Sequence, residues 1–298
     1  MIAGARRRVL VTGADGQVGR DLVALKRPGL ELIGFDRAAL DITRAGDVDA
    51  ALARARVYLV ANLAAYTEVD KAEDEPETAF AVNRDGVGNL ARACKKRGAA
   101  MIHVSTDYVF DGTKRGAWRE DDPTAPLGVY GKSKAAGEAA LRDALPRHAI
   151  IRASWVFGAH GKNFVRTMLG RIGMGDELRV VNDQRGCPTA AADLARAILA
   201  VAGRLSAEPD PVAGTYHYCN DGATTWFRFA EAIFARAREK GLAPPRLVPI
   251  KAADYPARAR RPANSELDCA KIMRIFGVAR PPWRDSLLPV VDALIAAR

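Results

Sequence analysis

Cysteine is scarce in this chain: four among 298 residues, at positions 94, 187, 219 and 269, with no CxxC pair. That excludes a disulfide scaffold and a zinc ribbon, and fits reduced thiols in a soluble, cytoplasmic protein. Long apolar runs are missing too. None approaches the ~18 residues of a membrane span, so no membrane role is expected. The N-terminus has no long apolar stretch ahead of a cleavage site, which argues against a secretion signal. Metal-ligand spacing of the HxxxH or HxH kind is absent, so no metal site is expected and His103, in an apolar run, reads as a core histidine. Neither an internal repeat nor a low-complexity linker interrupts the chain.

What is present is ordinary for a folded protein: 49% hydrophobic and 27% charged residues. At about 150 residues per domain, one or two domains are expected. A chain of this size buries roughly 75% of its unfolded surface and needs no covalent staples. The formal net charge of +10 comes from 45 basic and 35 acidic residues. The basic residues are dispersed, with tight runs only at Arg6-Arg7-Arg8 and Arg258-Ala259-Arg260-Arg261, so no nucleic-acid partner is expected. A positive field still attracts a phosphorylated ligand.

The first half alternates short apolar runs with helical patterns. Val9–Thr12, Leu30–Phe35, Val57–Val60, Ala100–Ser105 and the segment around Ile150-Ile151 read as strands. Helices are predicted over 18–25, 77–96 and 132–144. This alternation implies right-handed βαβ units, hence a Rossmann-type doubly wound parallel sheet with both faces covered. Later the rhythm loosens: strands at 178–181 and 215–218, helices over 190–202, 225–240 and 283–297. Thr224 or Thr225 is a plausible cap. Residues 207–211 and 242–245 are breaker-rich loops. The expected division is a nucleotide-binding domain over 1–155, with a later contribution from about 188–218, and a smaller α/β substrate lobe over 156–298.

Gly13, Gly16 and Gly19 follow the first strand and open a helix. One glycine permits the tight turn, another the approach of a pyrophosphate, and the third close helix–strand packing; the helix N-terminus adds amide donors. Asp36, at the end of the second strand, suits an adenosine ribose hydroxyl and NAD. Its neighbour Arg37 suits a 2′-phosphate and NADP. Both cofactors stay open.

Tyr130 and Lys134 stand four apart on one helical face. A free phenol titrates near 10, and a nearby ammonium favours the phenolate, so Lys134 is expected to lower the Tyr130 pKa. A strand ends at Ser105-Thr106-Asp107, which places the Thr106 hydroxyl outside the carboxyl ends of the sheet, where ligands sit. Tyr130, Lys134 and Thr106 are therefore the candidate catalytic residues.

These motifs resemble the extended short-chain dehydrogenase/reductase family. Within it, further stretches resemble the dTDP-4-dehydrorhamnose reductases: 62–73 (NLAAYTEVDKAE), 103–112 (HVSTDYVFDG), 130–134 (YGKSK), 152–158 (RASWVFG), 182–189 (NDQRGCPT) and 261–268 (RPANSELD). The resemblance covers nearly the whole chain. It implies reduction of the C4 keto group of dTDP-4-dehydro-β-L-rhamnose to dTDP-β-L-rhamnose with NADPH or NADH, Tyr130 giving the proton, Lys134 holding the nicotinamide ribose and Thr106 orienting the carbonyl. It also implies cofactor contacts at Gln17, Val18, Gly19, Asp41, Ile42, Ala64, Ala65 and Tyr66. Sugar-nucleotide contacts are implied at Thr106, Asp107 and Trp155, and a monomer or homodimer is expected.

Two departures are Leu63, where the family often has Ala, and the missing Pro-Asp before the third strand. Some members hold magnesium at a dimer contact; the matching positions are Asp21 and Asp193, shorter than the usual Glu, so no metal is expected. Asp121-Asp122-Pro123 reads as a loop, and Asn163 as a helix cap or a substrate-facing residue. Competing functions are another nucleotide-sugar ketoreductase or epimerase, or a non-catalytic NADP-binding regulatory subunit resembling the methionine adenosyltransferase β-subunit.

Overall fold

In a computed structural model, which describes residues 7–205 and 212–298, six strands pair into one parallel sheet. Arg6 and the breaker-rich segment 207–211 lie outside the described residues. The first five strands are β1 (Arg7–Thr12), β2 (Leu30–Phe35), β3 (Leu59–Asn62), β4 (Ala100–Thr106) and β5 (His148–Ala153). The spatial order is Gly214–Tyr218, β5, β4, β3, β1, β2. The chain winds outward from β1 to β2, then returns to β3 on the other side of β1. The winding therefore reverses between β1 and β3, where α/β sheets open a ligand crevice.

The sheet is apolar on both sides because helices cover both. Leu10, Val60, Met101 and Ile150 pack with residues of the helices Ala45–Ala55, Val87–Lys96 and Val129–Ala144. Val9, Val11, Ala61, Ile102 and Ile151 face the opposite way, into a core shared with the helices Gln17–Ala24 and Ala191–Leu205. Strands buried on both faces read as continuous apolar runs, as these do.

Some local expectations shift. The helix predicted over 77–96 is three joined pieces: Pro76–Phe80, a π-helical turn Ala81–Gly86, and Val87–Lys96. The helix predicted from 132 begins at Val129 and so includes Tyr130 in its first turn. Asn163 caps the helix Phe164–Gly170 by accepting from the Arg166 N–H at 3.1 Å. Thr225 does the same for Trp226–Glu239, accepting from Arg228 N–H at 3.2 Å.

In the second half, Glu177–Val181 pairs in parallel with Arg246–Ile250. A separate core gathers Phe157, Phe229, Phe234, Trp283 and Val291. All four cysteines are free and buried, and Cys219 and Cys269 bring their sulfurs to 3.6 Å despite 50 residues of separation. Among the described residues, no helix is long and apolar enough to cross a membrane.

Candidate active site

A cleft of about 710 Å³ opens at the carboxyl ends of β1, β3 and β4, where the winding reverses. At its floor is the glycine turn. Gly13 has φ +66°, and a Cβ there would stand 2.7 Å from the Ala64 nitrogen; a Cβ on Gly19 would stand 2.2 Å from the Gly13 carbonyl oxygen. Only glycine fits either place. Gly16 is the N-cap of Gln17–Ala24 and offers no side-chain bond to the helix start. Backbone amides there are left for a ligand, and the donor-rich, side-chain-free cradle fits a dinucleotide pyrophosphate.

The flank of the cleft is built from Asp41, Ile42, Ala64, Ala65 and Tyr66. Asp41 accepts from the Thr43 N–H and hydroxyl at 3.0 and 2.7 Å, and these bonds hold its carboxyl below the usual range. Asp36 and Arg37 part company. The Asp36 carboxylate caps its own turn, accepting from Ala39 N–H at 2.8 Å, and does not line the cleft, whereas Arg37 does.

The segment Ala64–Tyr66 is pinned by a residue the sequence reading missed. Asn83, inside the π-helical turn, accepts from the Tyr66 N–H at 2.8 Å and donates to the Tyr66 carbonyl at 3.0 Å. It also donates to Ser133 Oγ at 2.9 Å, and Ser133 Oγ donates to the Tyr130 carbonyl at 2.8 Å. One buried amide thus ties the loop after β3 to the turn between Tyr130 and Lys134. A π turn often marks a functional site, but it is a feature of the folded backbone and no local sequence motif announces Asn83.

Thr106, Asp107, Tyr130 and Lys134 share the inner end of the cleft. Burial pushes the Tyr130 hydroxyl up to about 12, opposed by its hydrogen bond with Thr106 and reinforced by the Asp107 charge. This corrects the expectation that Lys134 lowers it. The Lys134 ammonium is engaged elsewhere, donating to the Val104 carbonyl at 2.8 Å and lying 3.3 Å from His103 Nε2. Burial brings Lys134 down to about 8, which Glu138 partly offsets. Asp107 is likewise buried and rises to about 6, with Ser265 and Thr106 hydroxyls holding it back.

Trp155 closes the outer wall. It is one of two non-glycine residues with left-handed backbone among the described residues, at φ 48°. Its indole lies over Gly186, where a Cβ would come within 2.6 Å of the ring, and stacks on Trp226 at 3.6 Å between ring centroids, 13° from parallel. Trp226, also a cleft residue, carried no local motif and was not anticipated.

The two positions considered for magnesium differ in their surroundings. Asp193 is buried and accepts from Asn220 Nδ2 at 2.6 Å and Ser286 Oγ at 2.5 Å, with Arg196 alongside. Asp21 lies 4.0 Å from His160 Nε2. Among the described residues, no group of three or more His, Cys, Asp or Glu side chains is arranged to hold a metal ion.

A glycine cradle at the reversal of a doubly wound sheet, with Thr, Tyr and Lys converging beside it, defines an oxidoreductase of the short-chain dehydrogenase/reductase type. The sequence profile of the RmlD substrate binding domain matches residues 7–295. The dTDP-4-dehydrorhamnose reductase of Sinorhizobium fredii is 44% identical over 289 residues, covering 97% of this chain and 98% of that protein. The crystal structure of a Clostridium acetobutylicum dTDP-4-dehydrorhamnose reductase superposes with a TM-score of 0.88 at 34% identity, covering 97% of this chain and 99% of that one. The Bacillus anthracis reductase, solved in complex with NADP, gives 0.87 at 34% identity, covering 98% and 100%. The chain belongs to the dTDP-4-dehydrorhamnose reductase family.

Proposed function

We propose that this chain reduces the C4 keto group of dTDP-4-dehydro-β-L-rhamnose, giving dTDP-β-L-rhamnose, with NADPH or NADH as reductant. The observation that carries the reading is the convergence of Thr106, Tyr130 and Lys134 beside the glycine cradle in one cleft. The bound nicotinamide supplies the hydride. Thr106 orients the carbonyl. Tyr130, which burial keeps protonated at neutral pH, gives its proton to the oxygen as charge develops there. An alkoxide is a far stronger base than a phenolate, so a high phenol pKa is no obstacle to that transfer. Lys134 holds the nicotinamide ribose.

The cradle of Gly13, Gly16, Gln17, Val18 and Gly19 takes the pyrophosphate, with Asp41, Ile42 and Ala64–Tyr66 along the adenosine side. Arg37 in the cleft and Asp36 capping its own turn favour NADPH, because Arg37 is free to meet a 2′-phosphate. Asp107 and the Trp155–Trp226 stack receive the sugar nucleotide. The reading assigns no nucleic-acid partner, a cytoplasmic setting consistent with four buried free thiols, and a monomer or homodimer.

The test is NADPH and NADH oxidation followed at 340 nm with dTDP-4-dehydrorhamnose generated in situ. Turnover to dTDP-rhamnose that falls at least about a hundredfold in Tyr130→Phe, with NADPH binding retained, supports reaction and proton donor together. Absence of turnover with either cofactor, despite binding, would refute it in favour of another sugar or a regulatory role.

A further inference from the structure

Three side chains stand in register across the sheet on the face covered by Val129–Ala144: Thr12 opposite Asn62, and Asn62 opposite His103. All three are buried, at no more than 1% exposure. Thr12 Oγ1 and Asn62 Oδ1 are 2.6 Å apart, Asn62 Nδ2 and His103 Nδ1 3.0 Å, and His103 Nε2 and Lys134 Nζ 3.3 Å. A polar chain thus runs from the end of β1 through the sheet to the lysine of the cleft.

Donor and acceptor rules allow a neutral His103 two tautomers in this chain. If the Asn62 N–H donates to His103 Nδ1, the imidazole proton sits on Nε2 and must point at a neutral Lys134 amine. If Lys134 is an ammonium, Nε2 must be bare; the proton is then on Nδ1 and donates to the Asn62 carbonyl oxygen, with the amide turned end for end and its NH₂ donating to Thr12 Oγ1. Lys134 donates to the Val104 carbonyl at 2.8 Å, and burial brings its titration down to about 8, still above neutral pH. His103 stays neutral, because burial and the nearby Lys134 and His148 keep it well below its ordinary range. The second arrangement is the consistent one.

We infer that His103 is a positioning residue for Lys134: neutral and protonated on Nδ1, it accepts from the ammonium, while the Asn62 amide and the Thr12 hydroxyl satisfy that tautomer. The Val104 carbonyl and His103 Nε2 then take two of the three ammonium N–H bonds, which sets the group's rotation and commits the third to the cleft. The other charges near Lys134 are Glu138 on the next turn, paired with Arg152 of β5 and Arg142, while Asp107 faces Tyr130. None of these supplies the missing acceptor. The inference rests on the proposed role of Lys134, but its first two readouts need no substrate.

In full-length protein labelled with ¹⁵N-histidine, without nucleotide, the His103 imidazole is expected to carry its proton on Nδ1 at neutral pH and to stay neutral down to pH 5. A His103→Gln sample assigns the signal. The ¹³Cε titration of Lys134 is expected to fall by about one pH unit in His103→Leu, the size of a lost hydrogen bond to a charged group. His103→Gln restores it, since its carbonyl accepts from Lys134 and its NH₂ donates to Asn62. Under turnover, His103→Leu raises the KM for NADPH and lowers kcat, and His103→Gln recovers both. A proton on Nε2, or a Lys134 titration unchanged in His103→Leu, overturns the inference. If His103→Leu does not fold, the wild-type tautomer and the His103→Gln titration decide. Lack of reductase activity in wild type refutes the functional reading instead and leaves both spectroscopic results standing.

Discussion

Glu138 is the most consequential single charge behind the cleft. Its side chain is 1% exposed and Arg152, its partner on β5, is 2% exposed. The pair is bidentate, with Arg152 Nε to Oε1 at 2.9 Å and Nη2 to Oε2 at 2.7 Å; Arg142 adds a third bond to Oε2 at 2.7 Å. Burial alone would raise the carboxyl, but the two guanidinium groups and Ser105 hold it below the usual range. Glu138→Gln keeps the shape and removes the charge, leaving Arg152 as a buried cation over the Phe110 ring with no counterion. Removing one partner of a buried pair costs about 3–5 kcal/mol. An unfolding entropy of about 2.1 cal/mol/K per residue amounts to about 0.6 kcal/mol/K for a chain of this length, so the thermal midpoint should drop by about 5–8 °C. The assay is thermal unfolding of wild type and Glu138→Gln at pH 7, repeated at falling pH. Because the folded carboxyl is depressed, its contribution is complete above the unfolded value and disappears as pH falls through the folded one. The gap between the two proteins should therefore close in acid. A midpoint change under about 1 °C at pH 7, or a gap independent of pH, would refute the assignment of Glu138 as the buried counterion.

Arg37→Ala should weaken NADPH by roughly ten- to a hundredfold, the range of a charge-assisted hydrogen bond, and leave NADH unchanged; titration with both nucleotides checks it, and equal losses would remove Arg37 from the 2′-phosphate. Gly13→Ala should lower stability by about 1–3 kcal/mol through its left-handed backbone and weaken either nucleotide, as measured by denaturant unfolding and nucleotide titration. Turnover should fall as pH rises through about 8, where Lys134 loses its proton, rather than near the 12 of Tyr130; a kcat profile flat to pH 10 would contradict this. Asn83→Leu, which unties the loop after β3 from Ser133, should raise the KM for NADPH more than it lowers kcat, and an unaltered KM would confine Asn83 to packing.

Local pattern made the sheet legible. Leu30–Phe35 coincides with β2, and the two-sided apolar strands declared the layered architecture. The glycine turn, Thr106, Tyr130 and Lys134 could be read because each sits in a short motif that one cleft brings together. What escaped depends on partners distant in sequence. The helix predicted from Lys132 starts at Val129 although Gly131 lowers helix propensity; a Cβ at Gly131 would lie 2.2 Å from the Tyr108 carbonyl oxygen, so a tertiary contact, not local pattern, accounts for the glycine. His103 read as a core histidine, which it is by burial, but its contact with Lys134 depends on strand register and helix packing that periodicity does not encode. The same holds for Trp226, seventy-one residues beyond the Trp155 it stacks on. The direction of the Tyr130 shift failed because spacing puts Lys134 on the right helix face without revealing which acceptors its ammonium meets.

The pairing of Gly214–Tyr218 with β5 has a consequence for how the chain emerges during synthesis. β5 ends at Ala153, and its outer neighbour begins only at Gly214. Until those intervening residues have left the ribosome, β5 stands as an open edge carrying Ile150 and Ile151, the kind of edge that recruits stray strands. The nascent protein therefore passes through a stage in which five strands of the sheet are present yet adhesive, and the helix Ala191–Leu205 and the strand Gly214–Tyr218 later act as its seal. A fragment ending after β5 would keep the cradle and Tyr130 but lose that seal, and should aggregate rather than serve as a free-standing module.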